Sequence, residues 1–159
     1  MKLTLVLAVV IAAFSLDASA DEVRKVARND QKILLKALGK YNRDVEGGTL
    51  AKVSAAVRRA QSSAPKYFIC TQHEEDLEEG TRTVKTTCLF STVTGGKLAE
   101  VSFGLDQNAY RNATVLRVDY NECNREMISK EETPYGEREF CDYDHAEAPE
   151  LPKEPDLAP

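Results

Sequence analysis

The stretch CTQHEEDLEEGTRTVKTTC, from Cys70 to Cys88, consists of two β-prone arms separated by an acidic, turn-forming centre that contains Gly80. A chain that folds back at such a centre brings the two cysteines opposite each other on neighbouring antiparallel strands, where Cα atoms lie about 4.5–5.5 Å apart. A disulfide accepts that separation. The stretch therefore predicts a β-hairpin closed by a Cys70–Cys88 disulfide.

The other two cysteines, Cys123 and Cys141, are also 18 positions apart and flank a polar stretch, 130–136, with one proline and one glycine. The same reasoning predicts a second hairpin, closed by a Cys123–Cys141 disulfide. Four cysteines allow three pairings, and the sequence alone does not choose between them. A zinc site is disfavoured, because no two of the four cysteines have the close spacing of zinc ligands. We expect no metal and no cofactor.

The first 20 residues have the pattern of a secretory signal peptide. Lys2 precedes the apolar run Leu3–Phe14, and Ala18-Ser19-Ala20 provides a small-residue cleavage site. The apolar run is too short to cross a bilayer, which takes about 20 residues, so no membrane span is expected. We therefore predict a secreted, extracellular protein in an oxidising compartment, where disulfides persist.

Composition divides the remaining chain into one domain, 21–144, and a tail, 145–159. The tail is acidic and proline-rich and lacks aromatic and β-branched residues, which predicts disorder. Residues 21–66 hold 11 Lys/Arg against 5 Asp/Glu. Such a segment indicates either an anionic partner or the solvated face of a helix, and the helix is the simpler interpretation. We expect a monomer without a nucleic-acid partner. The triplet Asn112-Ala113-Thr114 makes Asn112 a candidate glycosylation site.

The hydrophobic pattern changes from helical to alternating along this domain. Apolar residues recur at helical spacing over Glu22–Val45, which predicts one long amphipathic helix that Gly47 and Gly48 terminate. Later segments alternate and are separated by turn signals, which predicts an antiparallel meander; they are Tyr67–Gln72, Thr83–Val93, Lys97–Leu105 and Ala113–Cys123. The expected fold class is α+β, with one long N-terminal helix packed against the meander. Residues 50–60 fit either a helix or a strand.

Several short stretches resemble secreted cystatins. Gly39-Lys40-Tyr41-Asn42 is similar to the Gly-x-Tyr-Asn pattern at the end of the cystatin helix, and Ala56–Gln61 is similar to the strand that leads into the inhibitory hairpin. Tyr67-Phe68 resembles the start of the returning strand. Two successive disulfides in the C-terminal half are also similar to those of cystatins and of cathelin domains. The resemblance implies a cystatin-like fold in which 50–60 is a strand.

The resemblance also implies a candidate inhibitory hairpin for cysteine proteases of the papain type, formed by Gln61, Ser62, Ser63, Ala64 and Pro65. The cystatin hairpin reads Gln-x-Val-x-Gly, and only the glutamine matches. No glycine precedes the helix in the mature chain, and the chain has no tryptophan for a second hairpin. Binding to a papain-like protease is therefore expected to be micromolar at best.

Three classes of function remain. The first is a secreted cystatin-like protein that binds a cysteine protease or another protein. The second is a host-defence protein of the cathelin type, which the acidic tail disfavours because such precursors end in a basic peptide. The third is a small secreted enzyme, for which a catalytic residue is missing: His73 and His145 both lie in polar, solvated stretches, and the cysteines are expected to form disulfides. We predict that the protein is not an enzyme.

Overall fold

A computed structural model describes residues 21–41, 49–77, 81–107 and 109–144. Its main sheet has five antiparallel strands, which are, in order across the sheet, β1 (Glu22–Lys25), β2 (Phe68–Leu77), β3 (Thr81–Thr94), β4 (Lys97–Leu105) and β5 (Val115–Asn124). Helices α1 (Arg28–Leu38) and α2 (Thr49–Ser62) lie between β1 and β2 in the chain. A short 3-10 helix, Arg125–Met127, leads from the main sheet into a two-stranded sheet of β6 (Ile128–Thr133) and β7 (Gly136–Cys141).

The predicted meander is confirmed over β2 to β5, where each strand pairs with its neighbour in the chain. The turn between β3 and β4 has two residues, Gly95 and Gly96, between the paired Thr94 and Lys97. Both glycines have positive φ, 61° and 76°. Two-residue hairpin loops need that conformation because it matches the twist of the flanking strands.

The prediction of one long N-terminal helix is wrong. Residues Glu22–Lys25 form an edge strand that pairs with β2, and α1 begins only at Arg28 and ends at Leu38. The valines at 23 and 26 fit a helical spacing, but the backbone of the segment hydrogen-bonds to β2, and the amide of Val26 donates to the carbonyl of Phe68. Pairing with a distant strand therefore overrides the local pattern. The sheet, and not a long helix, dominates the fold.

The strand that the cystatin resemblance implied at 50–60 is also wrong, since these residues form most of α2. The buried residues of α2 are Val53, Ala56, Val57 and Ala60, which follow the i, i+3, i+4, i+7 spacing of a helix face. The alanines favour a helix as well, because alanine has the highest intrinsic helix propensity. The helical reading that the sequence left open is thus the correct one.

Both helices pack on one face of the main sheet, where three phenylalanines form the centre of the core. Phe68, Phe90 and Phe103 are fully buried, and the rings of Phe68 and Phe90 stack with centroids 5.2 Å apart. Leu34 and Leu38 of α1 are buried against the same cluster. This layer of helices on one sheet face accounts for the alternation of buried residues along β4.

At the start of β5, the alternation of buried and exposed side chains is shifted by one residue relative to the rest of the strand. Val115 is buried and Leu116 is 46% exposed, although strict alternation with the buried Val118 would place Leu116 on the core face. The register explains the difference: Leu105 pairs with Val115 but Gly104 pairs with Arg117, so one extra residue is accommodated in β5. Such a bulge reverses the side-chain direction on one side of it.

The prediction of two disulfides is confirmed, and they have different roles. Cys70 and Cys88 are direct partners on β2 and β3, and both are buried in the core. Cys123 lies on β5 and Cys141 on β7, so the second disulfide joins the two sheets. The prediction that it closes a hairpin is wrong, because the residue opposite Cys141 is Ile128.

The hairpin of β6 and β7 covers the sheet face that lies opposite the helices. Leu98 and Glu100 alternate with the core-facing residues of β4, so they point to this second face. Leu98 is nevertheless fully buried, and Glu100 contacts Arg138 and the amide of Cys141 on β7. The predicted signal peptide, 1–20, and the predicted disordered tail, 145–159, lie outside the described residues.

Candidate binding cavity

A cavity of about 750 Å³ lies between α1 and the segment that enters β5. The residues on the α1 side share one face of the helix and of the turn that follows it, because positions three and four apart are neighbours on a helix surface. The other side is the loop 110–115. The lining residues are Ile33, Lys36, Ala37, Lys40, Tyr41, Tyr110, Arg111, Asn112, Ala113, Thr114 and Val115.

The loop side of the cavity is held by hydrogen bonds across its base. The amide of Asp106 donates to the carbonyl of Thr114 at 3.1 Å, and the amide of Thr114 donates to the carboxylate of Asp106 at 2.9 Å. The side chain of Gln107 donates to the carbonyl of Asn112 at 2.9 Å. These bonds fix the loop, so the cavity wall is formed before any ligand arrives.

The lining combines apolar side chains with a positive rim. Lys36, Lys40 and Arg111 are exposed, and none of them forms an ion pair within the described part of the chain. Apolar side chains, among them those of Ile33 and Val115, supply the remainder of the surface. A concave site with an apolar wall and a few converging polar groups is the usual form of a small-molecule site.

Tyr110 contributes a neutral hydroxyl group to the cavity at physiological pH. Burial raises the pKa of Tyr110, the negative charge of Asp30 raises it further, and the charge of Arg24 acts in the opposite direction. The hydroxyl therefore stays protonated and can donate a hydrogen bond. Since Tyr110 adds no charge, the three cations set the sign of the rim, and the cavity favours an anionic group.

The candidate inhibitory segment does not form a β-hairpin in the structure. Gln61 and Ser62 are the last two residues of α2, and the amide of Ser63 donates to the carbonyl of Arg59. The segment connects a helix to β2, with Ser63 and Ala64 exposed and Pro65 buried. The wedge expected from the cystatin resemblance thus lacks its first strand. The expectation of weak protease binding stays a prediction.

Ion pairs balance the charges that surround this segment. Lys66 lies 3.2 Å from the carboxylate of Glu137, and Lys130 lies 3.0 Å from that of Glu139 and 3.5 Å from that of Glu137. The two lysines lower the pKa of Glu137, as expected for a carboxylate beside cations. Because these groups neutralise one another, we assign the cluster to holding β7 in place and not to binding a ligand.

The candidate glycosylation site lies at the cavity. Asn112 is exposed and has a positive φ of 68°, which asparagine tolerates better than most residues. Thr114, the third residue of the triplet, is also exposed. The structure therefore leaves the triplet accessible, and a glycan on Asn112 would stand beside the cavity entrance. Its presence stays a prediction.

The histidine His73 lies on β2, where its Nδ1 atom is 2.6 Å from the carboxylate of Asp21, and both side chains are about half exposed. His145 lies outside the described residues. Within the ranges that the structure describes, no group of three or more His, Cys, Asp and Glu side chains is placed to hold a metal ion.

The cavity was missed in the sequence because its two sides are about 75 positions apart. In the sequence, the lysines at 36 and 40 fit a solvated helix face, and Tyr110-Arg111 lies in a polar turn between two strands.

None of the described helices is long and apolar enough to cross a membrane. Comparisons with protein-family models, with curated proteins and with solved structures found no match for this chain.

Proposed function

We propose that this chain is a secreted binding protein without catalytic activity, and that its ligand site is the cavity between α1 and the loop 110–115. The ligand that fits best is a small molecule with an apolar body and an anionic head, such as a carboxylate or a sulfonate. The observation that carries the proposal is the combination of a preformed, partly apolar cavity with three cations that have no carboxylate partner among the described residues.

Secretion is part of this proposal. It is supported by the signal-peptide pattern of residues 1–20 and by the two disulfides, which are compatible with an extracellular protein. The resemblance to secreted cystatins also favours a binding role over catalysis. Since Gln61–Pro65 connects a helix to a strand, we place the ligand site at the cavity and not at that segment.

The interaction is expected to depend on charge. A sulfonate inserted at the rim could accept hydrogen bonds from Lys36, Lys40 and Arg111, and hydrogen bonds to charged groups are stronger than neutral ones. The rim is exposed, so water and salt weaken each contact. We therefore expect an affinity in the micromolar range, with roughly tenfold discrimination between a charged ligand and its neutral analogue.

The test uses the chain 21–159 with both disulfides formed, titrated by calorimetry with naphthalene-1-sulfonate and with the uncharged naphthalene-1-sulfonamide. The sulfonate should bind with a stoichiometry of one, and the sulfonamide about tenfold more weakly. The double variant Lys40→Gln/Arg111→Gln should weaken binding of the sulfonate and leave that of the sulfonamide unchanged, because it removes only charge.

A matched control is Lys97→Gln/Arg125→Gln, which makes the same change in net charge with two exposed cations next to the distant end of β5. It should leave both affinities unchanged. Equal affinity for the two compounds, or an equal loss in the cavity variant and in the control variant, contradicts the proposed site. Folding of each variant is checked by its thermal unfolding midpoint.

A further inference from the structure

Four cations recur at every fourth position along α1 and the turn that follows it. They are Arg28, Lys32, Lys36 and Lys40, and we call them the α1 basic row; all four are exposed. Positions four apart lie on the same side of a helix and are separated by about 6 Å along its axis. The α1 basic row is therefore a line of positive charge that is about 18 Å long. Its last two members also line the cavity.

The members of the α1 basic row, like Arg111 at the cavity, have no anionic partner among the described residues, whereas several other cations do. Lys52, Lys66 and Lys130 each form an ion pair with a carboxylate. In the described ranges of the chain, no carboxylate lies within ion-pair distance of any member of the row. Like charges four positions apart destabilise a helix, so the row does not serve the stability of α1.

The acidic residue within α1 does not neutralise the row. Asp30 is partly buried, and its charge raises the pKa of the nearby Tyr110. It therefore lies towards the loop side of the cavity. The exposed charged side chains of α1 are therefore all positive. Because they follow one another along the helix, the α1 basic row complements a linear array of negative charges.

We infer that the ligand of this site is a sulfated polysaccharide, with one sulfate group in the cavity and the following sugars along the α1 basic row. The inference rests on the proposed function for the anionic group, which is here a sulfate, and it replaces the apolar body of the small ligand by a polymer that continues outside the cavity. A lipid surface fits less well, because the large apolar side chains exposed in the described part of the chain are Val84, Val93, Leu116 and Tyr143, and none lies on a helix. Surface-binding helices insert such residues beside their cations.

The experiment compares a heparin octasaccharide with a heparin disaccharide, by calorimetry with the chain 21–159 at 50 mM and 150 mM NaCl. The octasaccharide should bind at least about tenfold more tightly, since it contacts the row as well as the cavity. Its affinity should fall more steeply with salt than that of the disaccharide, because more ionic contacts form.

The decisive variant is Arg28→Gln/Lys32→Gln, which leaves the cavity lining intact. It should weaken binding of the octasaccharide about five- to tenfold and leave binding of the disaccharide and of naphthalene-1-sulfonate unchanged. The control variant Lys97→Gln/Arg125→Gln, with the same change in net charge, should bind all three compounds as the unmodified chain does. A chemically desulfated octasaccharide, which keeps its carboxylates but loses its sulfates, should bind at least about tenfold more weakly than the sulfated octasaccharide.

The results separate the two proposals. If the sulfonate binds but the octasaccharide binds no more tightly than the disaccharide, or is insensitive to Arg28→Gln/Lys32→Gln, the polysaccharide inference fails and the cavity assignment stands. If neither the sulfonate nor the disaccharide binds, both fail. Tighter binding to phosphatidylserine vesicles than to the octasaccharide would identify a lipid surface instead and overturn the inference.

Discussion

The two disulfides close loops of the same length but lie in different surroundings, which makes their removal a matched comparison. We consider Cys70→Ala/Cys88→Ala and Cys123→Ala/Cys141→Ala. Each bridge joins residues 18 positions apart. The chain-entropy model assigns a loop of this size about 3 kcal/mol, so this contribution is the same for both. A difference between the variants must come from packing.

Packing favours the first bridge. Cys70 and Cys88 are about 1% and 0% exposed and belong to the core beneath the helices. Removing two buried sulfur atoms forfeits roughly 0.8 kcal/mol for each group of about methylene size, before any cavity cost. Cys141 is only half-buried and lies at the end of a peripheral strand. Cys123 is 5% exposed, so its removal forfeits about 0.8 kcal/mol as well. We expect a loss of about 5 kcal/mol for the first variant and about 4 kcal/mol for the second.

The free energy of unfolding is measured by urea denaturation, followed by circular dichroism. A parallel assay treats the folded chain with dithiothreitol, traps free thiols with iodoacetamide and identifies them by peptide mapping. Cys123 and Cys141 should be alkylated first, because a thiolate reaches a half-buried sulfur more easily than a buried one. Equal losses of stability in the two variants, or earlier alkylation of Cys70 and Cys88, would refute the assignment of one bridge to the core and the other to the periphery.

Three further predictions concern single residues. Leu34→Ala should lower the free energy of unfolding in urea by about 2–5 kcal/mol, because the side chain is fully buried, and a loss below about 0.5 kcal/mol contradicts its place in the core. Gly136→Ala should cost about 1–3 kcal/mol in the same assay, because φ is 123° there, whereas Gly104→Ala, which has room for a methyl group, should cost less. Burial, the hydrogen bond to Glu122 and the charge of that carboxylate raise the pKa of Tyr120 to about 12. Because the folded state disfavours ionisation of Tyr120, its contribution to stability is complete below pH 10 and is lost as the pH rises to about 12. Glu122→Gln should lower the pKa of Tyr120, as measured by ultraviolet titration.

The sheet could be predicted from the sequence because its information is local. The alternation over Lys97–Leu105 places Val101 and Phe103 on one face, and the structure buries both. The Gly95-Gly96 turn fixes the register of β3 and β4 without reference to the rest of the chain. The pairing of Cys70 with Cys88, on the two sides of an acidic turn, likewise depends only on β2 and β3, which are neighbours in the chain.

The errors arose where distant residues decide the local conformation. The segment Glu22–Lys25 has a helical pattern, but the edge of β2 offers unsatisfied backbone groups that it can pair with. The bulge that buries Val115 and exposes Leu116 is a property of its pairing with β4 and not of the sequence of β5. The second disulfide was predicted with the correct partners but the wrong geometry, because the hairpin of β6 and β7 folds back onto the main sheet.

The helix break has a consequence for function that a single helix would not have. On a continuous helix over Glu22–Val45, the cations at 28, 32, 36 and 40 would all lie on an ordinary solvated helix face. In the structure α1 ends at Leu38, and Lys40 and Tyr41 follow in a turn whose amides donate to the carbonyls of Ala37 and Leu38. That turn meets the loop 110–115, so the last cations of the row become part of a cavity wall. The end of α1 at Leu38, which the predicted long helix did not contain, therefore creates one wall of the site that we propose.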